Sequence, residues 1–237
     1  MFRSLKPLPA DAILGMMALY RADPYPGKID LSVGVYQDEQ GRTPILDSVK
    51  RAERDVIEHE QTKSYVAIAG NAAFNRGIEQ LLFGRSHAAV ADGRVVTLQT
   101  PGGSGALCVA AHLVHRARPG AKVHISEPSW PNHIPLLSLS GLEIATYPYY
   151  DHAAHRVDFE QMTAAVERIP KGDLLLLHAC CHNPCGADLT REQWQVLAEL
   201  CGRRGIVPFI DIAYQGFAEG LETTTASGSR SLMSRTP

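Results

Sequence analysis

The chain has 237 residues, of which 45% are hydrophobic and 20% charged, and its formal net charge at pH 7 is −2. This length accommodates one large α/β domain or two small ones, and the near-neutral charge, with no dense basic tract, argues against a nucleic-acid surface. No apolar run reaches the roughly 18 residues of a membrane-spanning helix, and the N-terminus lacks the uniform apolar core of a secretion signal.

The first part of the chain predicts mostly helices. Residues 8–20 have helical spacing, 23–27 (DPYPG) form a turn-rich linker and 31–36 form a short extended piece. Residues 45–60 and 71–83 again have the apolar spacing of helices.

The rest of the chain alternates between apolar strand patterns and amphipathic helix patterns. Strands are predicted at 94–100, 121–126, 142–147, 173–179 and 206–210. Helices are predicted at 106–115, 131–140, 158–168 and from Thr190, an expected N-cap, to about Cys201. This order predicts an α/β fold with a mostly parallel sheet covered by helices on both faces.

Ligands of such sheets bind beyond the carboxyl ends of the strands. The segments that follow these ends are PGGSG, EPSWPNH, HNPCG and D-x-x-Y. In the first of them, Gly102, Gly103 and Ser104 offer backbone N–H groups and a hydroxyl to a phosphate at a helix N-terminus. A tight turn before a helix is the alternative.

Three further polar residues fall at the same predicted edge. Asp211 ends the last strand, where a partly shielded carboxylate keeps a heteroaromatic nitrogen protonated. Tyr214 lies three residues later, and the Asn183 amide is able to donate to a ligand oxygen. A helix cap or surface turn for Asp211 and an Asx-turn for Asn183 are the alternatives.

Trp130 offers a flat face on which a ring can stack, and His133 lies three residues further on. Core packing is the usual role of a single tryptophan, and a structural hydrogen bond that of a buried histidine. Together with the phosphate loop and the acid, however, these residues are the inventory for a phosphorylated heteroaromatic ring.

Five cysteines are present, and three of them fall within six positions. The odd number argues against structural disulfides and favours a reducing compartment, so we expect a cytoplasmic protein. A metal site formed by Cys180, Cys181, His182 and Cys185 is an alternative, but no second ligand pair accompanies it, and we expect no metal.

Six segments, in order and with conserved spacing, resemble class I pyridoxal-phosphate (PLP) aminotransferases, most closely the bacterial aspartate and aromatic amino acid subgroup. They are LSVGVYQDEQGRTPILDSVKRAE, SYVAIAGNAAFNRGIEQLLFG, QTPGGSGAL, EPSWPNH, CCHNPCGADLT and FIDIAYQGF. The resemblance implies the large domain of type I PLP-dependent transferases over residues 46–222, incomplete, preceded at 1–45 by an N-terminal arm and a small-domain segment.

The resemblance also implies a role for each matching residue. Gly102, Gly103 and Ser104 match the phosphate-binding turn. Trp130 matches the ring-stacking tryptophan that also contacts substrate. Asn183 and Tyr214 match donors to the cofactor's phenolic oxygen, and Asn183 is also expected at the substrate.

Four more matches complete the implied site. Asp211 matches the partner of the pyridinium nitrogen, and His133 matches its support. Tyr65 matches a tyrosine that reaches the phosphate held by a neighbouring subunit, and Gly34 matches a glycine that closes over substrate. A homodimer is therefore implied, with amino acids and 2-oxoacids such as 2-oxoglutarate as substrates.

Two departures from the family stand out. Cys185 occupies the place of a usual threonine. More importantly, all six lysines precede Asp211, whereas the family's covalent cofactor lysine lies beyond it; they are Lys6, Lys28, Lys50, Lys63, Lys122 and Lys171. We therefore expect no catalytic lysine in this chain and no transaminase activity from it alone.

The tail at 223–237 has neither helical nor strand periodicity. Translating assumed G+C-rich codons from Glu222 onward in another frame gives an acidic segment followed by Gly-Leu-Arg, as the family has here. We therefore expect an aberrant tail that arises from a frameshift near Glu222.

Two other functions remain open at this stage. One is a non-catalytic α/β domain that binds PLP or a protein partner. The other is a nucleotide-binding protein, which is disfavoured because PGGSGA lacks the G-x-G-x-x-G spacing.

Overall fold

The computed structural model describes residues 12–30, 34–218 and 220–221. The chain divides into two units, one up to Ser64 and one from Tyr65 onward. The predicted tail at 223–237, the first eleven residues and part of the predicted extended piece at 31–36 lie outside the described residues. The division at 45/46 drawn from the resemblance remains a prediction.

The first unit contains two described helices, α1 (Ala12–Ala22) and α2 (Asp47–His59). The second unit contains the remaining elements. Its helices are α3 (Ala72–Phe83), α4 (Ala88–Ala91), α5 (Gly102–Ala117), α6 (His133–Leu139), α7 (Phe159–Val166) and α8 (Arg191–Arg204). Its strands are β1 (Lys122–Glu127), β2 (Glu143–Pro148), β3 (Tyr150–Asp151), β4 (Arg156–Val157), β5 (Leu174–His178) and β6 (Val207–Asp211).

Four strands form a parallel sheet in the order β2-β1-β5-β6. Residues alternate between the two faces of a strand, and β5 shows why its run of leucines is apolar throughout. Leu174 and Leu176 pack in the core with α5 and α6, whereas Leu175 and Leu177 pack in the core with α7 and α8. The predicted α/β fold with helices on both faces is confirmed.

The α8 helix begins as the sequence predicts. The Thr190 side chain accepts a hydrogen bond from the Gln193 N–H, and the Gln193 side chain accepts one from the Thr190 N–H. This capping box satisfies two backbone donors at the helix start, and it fixes where the turn after β5 must end. Trp194 and Leu197, one turn further along, are completely buried against the sheet.

The prediction of a strand at 94–100 is wrong. Val96 and Leu98 are exposed, and no described strand pairs with this segment. A strand needs a neighbouring strand for its backbone groups. Here the Arg94 N–H donates to the Ala89 carbonyl and the Gln99 N–H donates to the Ala69 carbonyl, each at 2.9 Å, and neither acceptor lies in a strand. The sequence also missed the short antiparallel hairpin β3–β4, because each of its strands has only two residues.

The glycine-rich segment was placed in a loop ahead of a helix that begins near Ala106. In the structure Gly102 already opens α5, so the glycines form its first turn. Gly102 has φ of +67°, a left-handed conformation that glycine adopts without strain. It turns the chain sharply from Thr100 into the helix.

Candidate functional site

A cavity of about 230 Å³ lies beyond the carboxyl ends of β5 and β6, beside the first turn of α5. This is where ligands bind in parallel α/β sheets. Its lining residues are Gly103, Ser104, Leu107, Trp130, His178, Cys180, Asn183, Asp211, Ala213 and Tyr214. Six of them were predicted from sequence, and these six come from four separate segments of the chain.

The α5 end of the cavity is built to receive an anion. Pro101 is the N-cap, and its side chain accepts no hydrogen bond from the first turn. Backbone N–H groups of that turn are therefore left without a capping side chain. A Cβ atom added to Gly102 or Gly103 would meet nothing within 4 Å. Open space and aligned N–H groups at a 16-residue helix favour a phosphate or carboxylate.

At the sheet side, Asp211 and His133 form a close pair. His133 Nε2 lies 2.9 Å from Asp211 Oδ2, and the histidine side chain is 0% exposed whereas the aspartate side chain is 23% exposed. The imidazole thus holds one carboxylate oxygen from behind, while the carboxylate itself still lines the cavity. Such a carboxylate is suited to a cationic N–H of a ligand.

Behind the pair runs a chain of hydrogen bonds whose direction is fixed at both ends. The Asn183 backbone N–H donates to His178 Nδ1 at 3.4 Å, which leaves the His178 proton on Nε2. That N–H donates to Ser129 Oγ at 3.2 Å, and the Ser129 hydroxyl donates to His133 Nδ1 at 2.9 Å. With one proton on each ring, this chain assigns the His133 proton to Nε2, from which the ring donates a hydrogen bond to Asp211.

The histidines belong to a continuous group of aromatic rings. Trp130 meets His133 edge-on at 5.2 Å, and His133 meets His178 edge-on at 5.1 Å. His182 stacks on His178 at 4.1 Å and on Tyr149 at 4.2 Å. Burial, followed by the neighbouring histidines, lowers the pKa of His178 to about 4 and that of His182 to about 3. Both rings are therefore neutral at pH 7, as the hydrogen-bond chain requires.

The turn that follows β5 carries three cysteines and His182. His182 Nδ1 lies 3.1 Å from Cys185 Sγ, and His182 Nε2 lies 3.0 Å from Ser126 Oγ. Burial raises the pKa of Cys180 to about 12 and also raises the pKa values of Cys181 and Cys185. These thiols are therefore protonated at neutral pH, and no cluster of three metal-binding side chains is found in the described parts of the chain.

The sequence-predicted residues divide into four groups. Gly103, Ser104, Trp130, Asn183, Asp211 and Tyr214 line the cavity. Gly102 precedes the lining residue Gly103 in the first turn of α5, and His133 is hydrogen-bonded to the lining residue Asp211. Tyr65 is fully exposed and does not line the cavity, and Gly34 lies in the first unit.

Sequence reasoning missed His178 and Ser129. Both had a signal, because His178 ends the buried strand that precedes Asn183 and Ser129 directly precedes Trp130. His178 also pairs in register with Asp211 across β5 and β6.

The second unit contains only two lysines, Lys122 and Lys171. Lys122 begins β1 and Lys171 lies just before β5, so both sit at the amino edge of the sheet, opposite the cavity. Lys122 Nζ is paired with Glu143 Oε2 at 2.6 Å. No lysine among residues 65–218 lines the cavity.

A second cleft, of about 670 Å³, lies on the other side of the turn that follows β5. Asp151, Asp158 and Asp188 line it, together with Arg156 and Thr190. The turn thus separates this outer cleft from the cavity.

Comparison with known proteins places these features in a family context. The model of aminotransferase classes I and II matches residues 26–237. The chain is 50% identical over 222 residues to an aspartate aminotransferase of Salmonella typhi, covering 94% of this chain and 56% of that protein. It is 44% identical over 237 residues to an aromatic-amino-acid aminotransferase of Paracoccus denitrificans, covering 100% of this chain and 59% of that protein.

A solved structure resembles the chain equally well. The aromatic-amino-acid aminotransferase of Burkholderia pseudomallei, covalently bound to pyridoxal phosphate, superposes with a TM-score of 0.95 at 42% identity, covering 99% of this chain and 58% of that one. The chain therefore spans somewhat more than half the length of the relatives it matches. None of the described helices has the length and apolar character needed to cross a membrane.

Proposed function

The chain belongs to the class I and II aminotransferase family, and from this premise we propose that its cavity is a pyridoxal-phosphate site. The observation that carries the proposal is the Asp211 carboxylate, held by His133 at 2.9 Å and facing the same cavity as the first turn of α5. An acid for a ring nitrogen and an anion site are the two ends that a phosphorylated pyridine requires.

The residues present fit this cofactor. Gly102 and Gly103 leave open space where side chains would otherwise stand, which lets a phosphate approach the α5 N–H groups, and Ser104 adds a hydroxyl. Trp130 lines the same cavity and offers an aromatic ring for stacking. The cavity measures about 230 Å³, which is below the roughly 300–1,000 Å³ common for ligand pockets, so its size favours a single small ring over a dinucleotide.

Bound pyridoxal phosphate supplies an electron-withdrawing ring that stabilises the charge left when an amino acid loses its α-proton. The residues of this chain serve that chemistry by placement. Asp211 holds a proton on the ring nitrogen, because a carboxylate stabilises a cationic N–H. The Asn183 amide and the Tyr214 hydroxyl, which line the same cavity, would donate to the ring's phenolic oxygen, and Trp130 would shield one ring face from water.

The proposed reaction exchanges the amino group of aspartate or an aromatic amino acid for the oxo group of 2-oxoglutarate. Trp130 and Asn183 also contact the substrate in this proposal, and Gly34 belongs to a segment that closes over it. Moving the α-proton calls for a basic amine near the cofactor. Lys122 and Lys171 lie at the wrong edge of the sheet for this role, so we propose that the chain by itself binds the cofactor without a covalent bond and without turnover.

We also propose a homodimer in which Tyr65 of one copy reaches the phosphate held by the other. Its full exposure supports a role outside its own unit. Residues 46–222 would form the cofactor-binding part, and residues 1–45 an arm and small-domain segment. Five free thiols support a reducing, cytoplasmic location.

The test is a titration of the 237-residue chain with pyridoxal phosphate, followed by borohydride reduction and peptide mapping. We expect saturable binding that quenches tryptophan fluorescence, with no lysine modified in a site-specific manner. The Asp211→Asn variant serves as the control for adventitious lysine adducts. A site-specific adduct accompanied by turnover contradicts the non-covalent proposal, and absence of saturable binding contradicts the cofactor site.

A non-catalytic PLP-binding domain is the second candidate. The observation that favours it is the placement of Lys122 and Lys171 away from the cavity. The two candidates are distinguished by a longer polypeptide that also carries the part of the relatives' length not matched by this chain. This polypeptide is tested for transamination of aspartate and phenylalanine. Activity there supports the first candidate, and cofactor binding without activity supports the second.

A further inference from the structure

The turn between β5 and α8 stands between two cavities. Asn183 and Cys180 line the inner cavity that we assign to the cofactor. Asp188, eight residues beyond Cys180 along the chain, lines the outer cleft instead. Whatever fixes the conformation of this turn from the outer side also fixes where Asn183 stands in the inner cavity.

Asp188 is the residue that holds the turn from the outside. Its Oδ2 accepts a hydrogen bond from the Cys181 N–H at 2.7 Å, and its Oδ1 accepts one from the His182 N–H at 2.9 Å. Two consecutive N–H groups therefore converge on the two oxygens of one carboxylate. Charge-assisted bonds of this kind are shorter and stronger than neutral ones.

This convergence requires an unusual backbone. Cys181 has φ of +51°, a left-handed conformation that residues other than glycine seldom adopt. Consecutive N–H groups point the same way when adjacent residues take right- and left-handed conformations, and the concavity they form binds anions. The Asp188 carboxylate occupies that concavity, and so offsets the strain at Cys181.

The restraint passes directly to the cofactor side. Asn183 follows His182, the second clamped residue, and its own N–H donates to His178 Nδ1. The turn closes through the Gly186 N–H, which donates to the His182 carbonyl at 2.7 Å. Tyr149 Oη donates to the Ala187 carbonyl, also at 2.7 Å. These hydrogen bonds restrain the segment between His182 and Asp188.

We propose that Asp188 is a positioning residue for the cofactor site: by binding the Cys181 and His182 amides, it sets the placement of the Asn183 amide and the orientation of His178. The inference rests on the proposed function, because it assigns the effect to pyridoxal phosphate. Asp188 itself contacts the outer cleft and is not a catalytic residue.

The experiment compares Asp188→Asn with a matched control, Asp151→Asn, in the 237-residue chain. Asp151 lines the same outer cleft, and its Oδ1 also accepts two consecutive backbone N–H groups, those of Ala153 and Ala154. Its turn, however, carries no residue of the inner cavity. Both variants remove one charge and replace one acceptor oxygen with a donor.

Three quantities are measured in each protein. They are hydrogen exchange of the Cys181 and His182 amides, chemical shifts of the Asn183 amide and the His178 ring, and affinity for pyridoxal phosphate. In Asp188→Asn we expect faster exchange at Cys181 and His182, shifted Asn183 and His178 signals, and affinity reduced about tenfold, as for loss of a bond to a charged group. In Asp151→Asn the remaining amide oxygen can still accept both N–H groups, so we expect a smaller loss of stability and affinity within about twofold of the parent.

If affinity falls in both variants in proportion to the loss in free energy of unfolding, Asp188 has only a general structural role, and the proposal is overturned. Faster exchange at Cys181 and His182 with unchanged Asn183 and His178 signals would also overturn it. If the parent chain does not bind pyridoxal phosphate, the proposed function fails, yet the signals still decide whether Asp188 positions Asn183.

Discussion

His133 Nε2 donates a hydrogen bond to Asp211 Oδ2 over 2.9 Å from a completely buried position. The same kind of pair occurs at the other edge of the sheet, where His124 Nε2 lies 3.1 Å from Asp173 Oδ2. Asp211 of the first pair lines the 230 Å³ cavity, whereas neither His124 nor Asp173 lines that cavity or the outer cleft. Comparing them therefore separates a ligand-binding role from a purely structural one.

We expect Asp211→Asn to lower the affinity of the chain for pyridoxal phosphate about tenfold or more, because the amide loses the charge that holds a proton on the ring nitrogen. Equilibrium titration followed by tryptophan fluorescence measures the change. Asp173→Asn is the control. It removes a carboxylate that is more buried than that of Asp211, 8% against 23% exposed. It should therefore destabilise the fold but leave the affinity of the folded protein unchanged.

The hydrogen-bond chain behind Asp211 is tested by Ser129→Ala. Removal of this hydroxyl leaves His133 Nδ1 and His178 Nε2 without the partner that fixes their protons, so we expect the single tautomer of each ring to become a mixture. Nitrogen NMR of the imidazoles reports this directly, and cofactor affinity should fall severalfold. Ser138→Ala is the control, since that hydroxyl donates only to backbone carbonyls within α6. Unchanged His133 nitrogen shifts in Ser129→Ala would contradict the assignment.

Stability should decrease as the solution becomes acidic. His178 and His182 have folded-state pKa values of about 4 and about 3, below the ordinary value of 6.5. Between pH 6.5 and about 4, these two histidines are protonated in the unfolded chain but remain neutral in the folded chain. The free energy of unfolding therefore falls as pH falls through this window. Urea unfolding at a series of pH values measures the slope.

The contribution of the buried imidazoles is isolated by His178→Gln, which should flatten that slope. His112, on the exposed surface of α5, provides the control, and His112→Gln should leave the slope as it is. An unaltered slope in His178→Gln would show that the acid sensitivity arises elsewhere.

Thiol chemistry gives an independent check of packing. Burial raises the pKa values of Cys180 and Cys201 to about 12, so only about one thiol in ten thousand is ionised at pH 8, and thiolate is the reactive form. We expect both residues to be the slowest to react with a chromogenic disulfide reagent, while all five thiols react readily in urea. Saturating pyridoxal phosphate should slow Cys180 further, because Cys180 lines the cavity, and should leave Cys201 unaffected.

Much of the fold follows from local pattern, because a parallel sheet covered on both faces imprints long apolar strands and amphipathic helices on the sequence. The four leucines of β5 and the capping box at Thr190 and Gln193 are examples in which local chemistry and tertiary packing agree. The segment at 94–100 shows the limit. Its apolar alternation is that of a strand, yet pairing depends on a neighbour, and a local pattern carries no information about whether one is present.

The candidate site shows the same division. Trp130, Asn183 and Asp211 follow or end strands of one parallel sheet, and the structure brings them to one cavity because all parallel strands of a sheet end at the same edge. The roles of Ser129, His178 and Asp188 were not visible, because each acts by a hydrogen bond to a residue of another segment or to the backbone of a turn. Such partners become known only when the positions of distant segments are known. The left-handed conformation of Cys181 could not be predicted either, because cysteine has no preference for it.

β6 pairs with β5 on one side and has no partner on its other side among the described strands. Asp211, the carboxylate on which the proposed site depends, is the last residue of that strand. Fraying begins at such borders, because opening them breaks the fewest contacts. Ligand binding in the cavity should therefore reduce the local opening of β6 more than that of the other strands. Hydrogen exchange should then slow more at the β6 amides than at the β1 amides, which shows that the ligand stabilises this edge of the sheet.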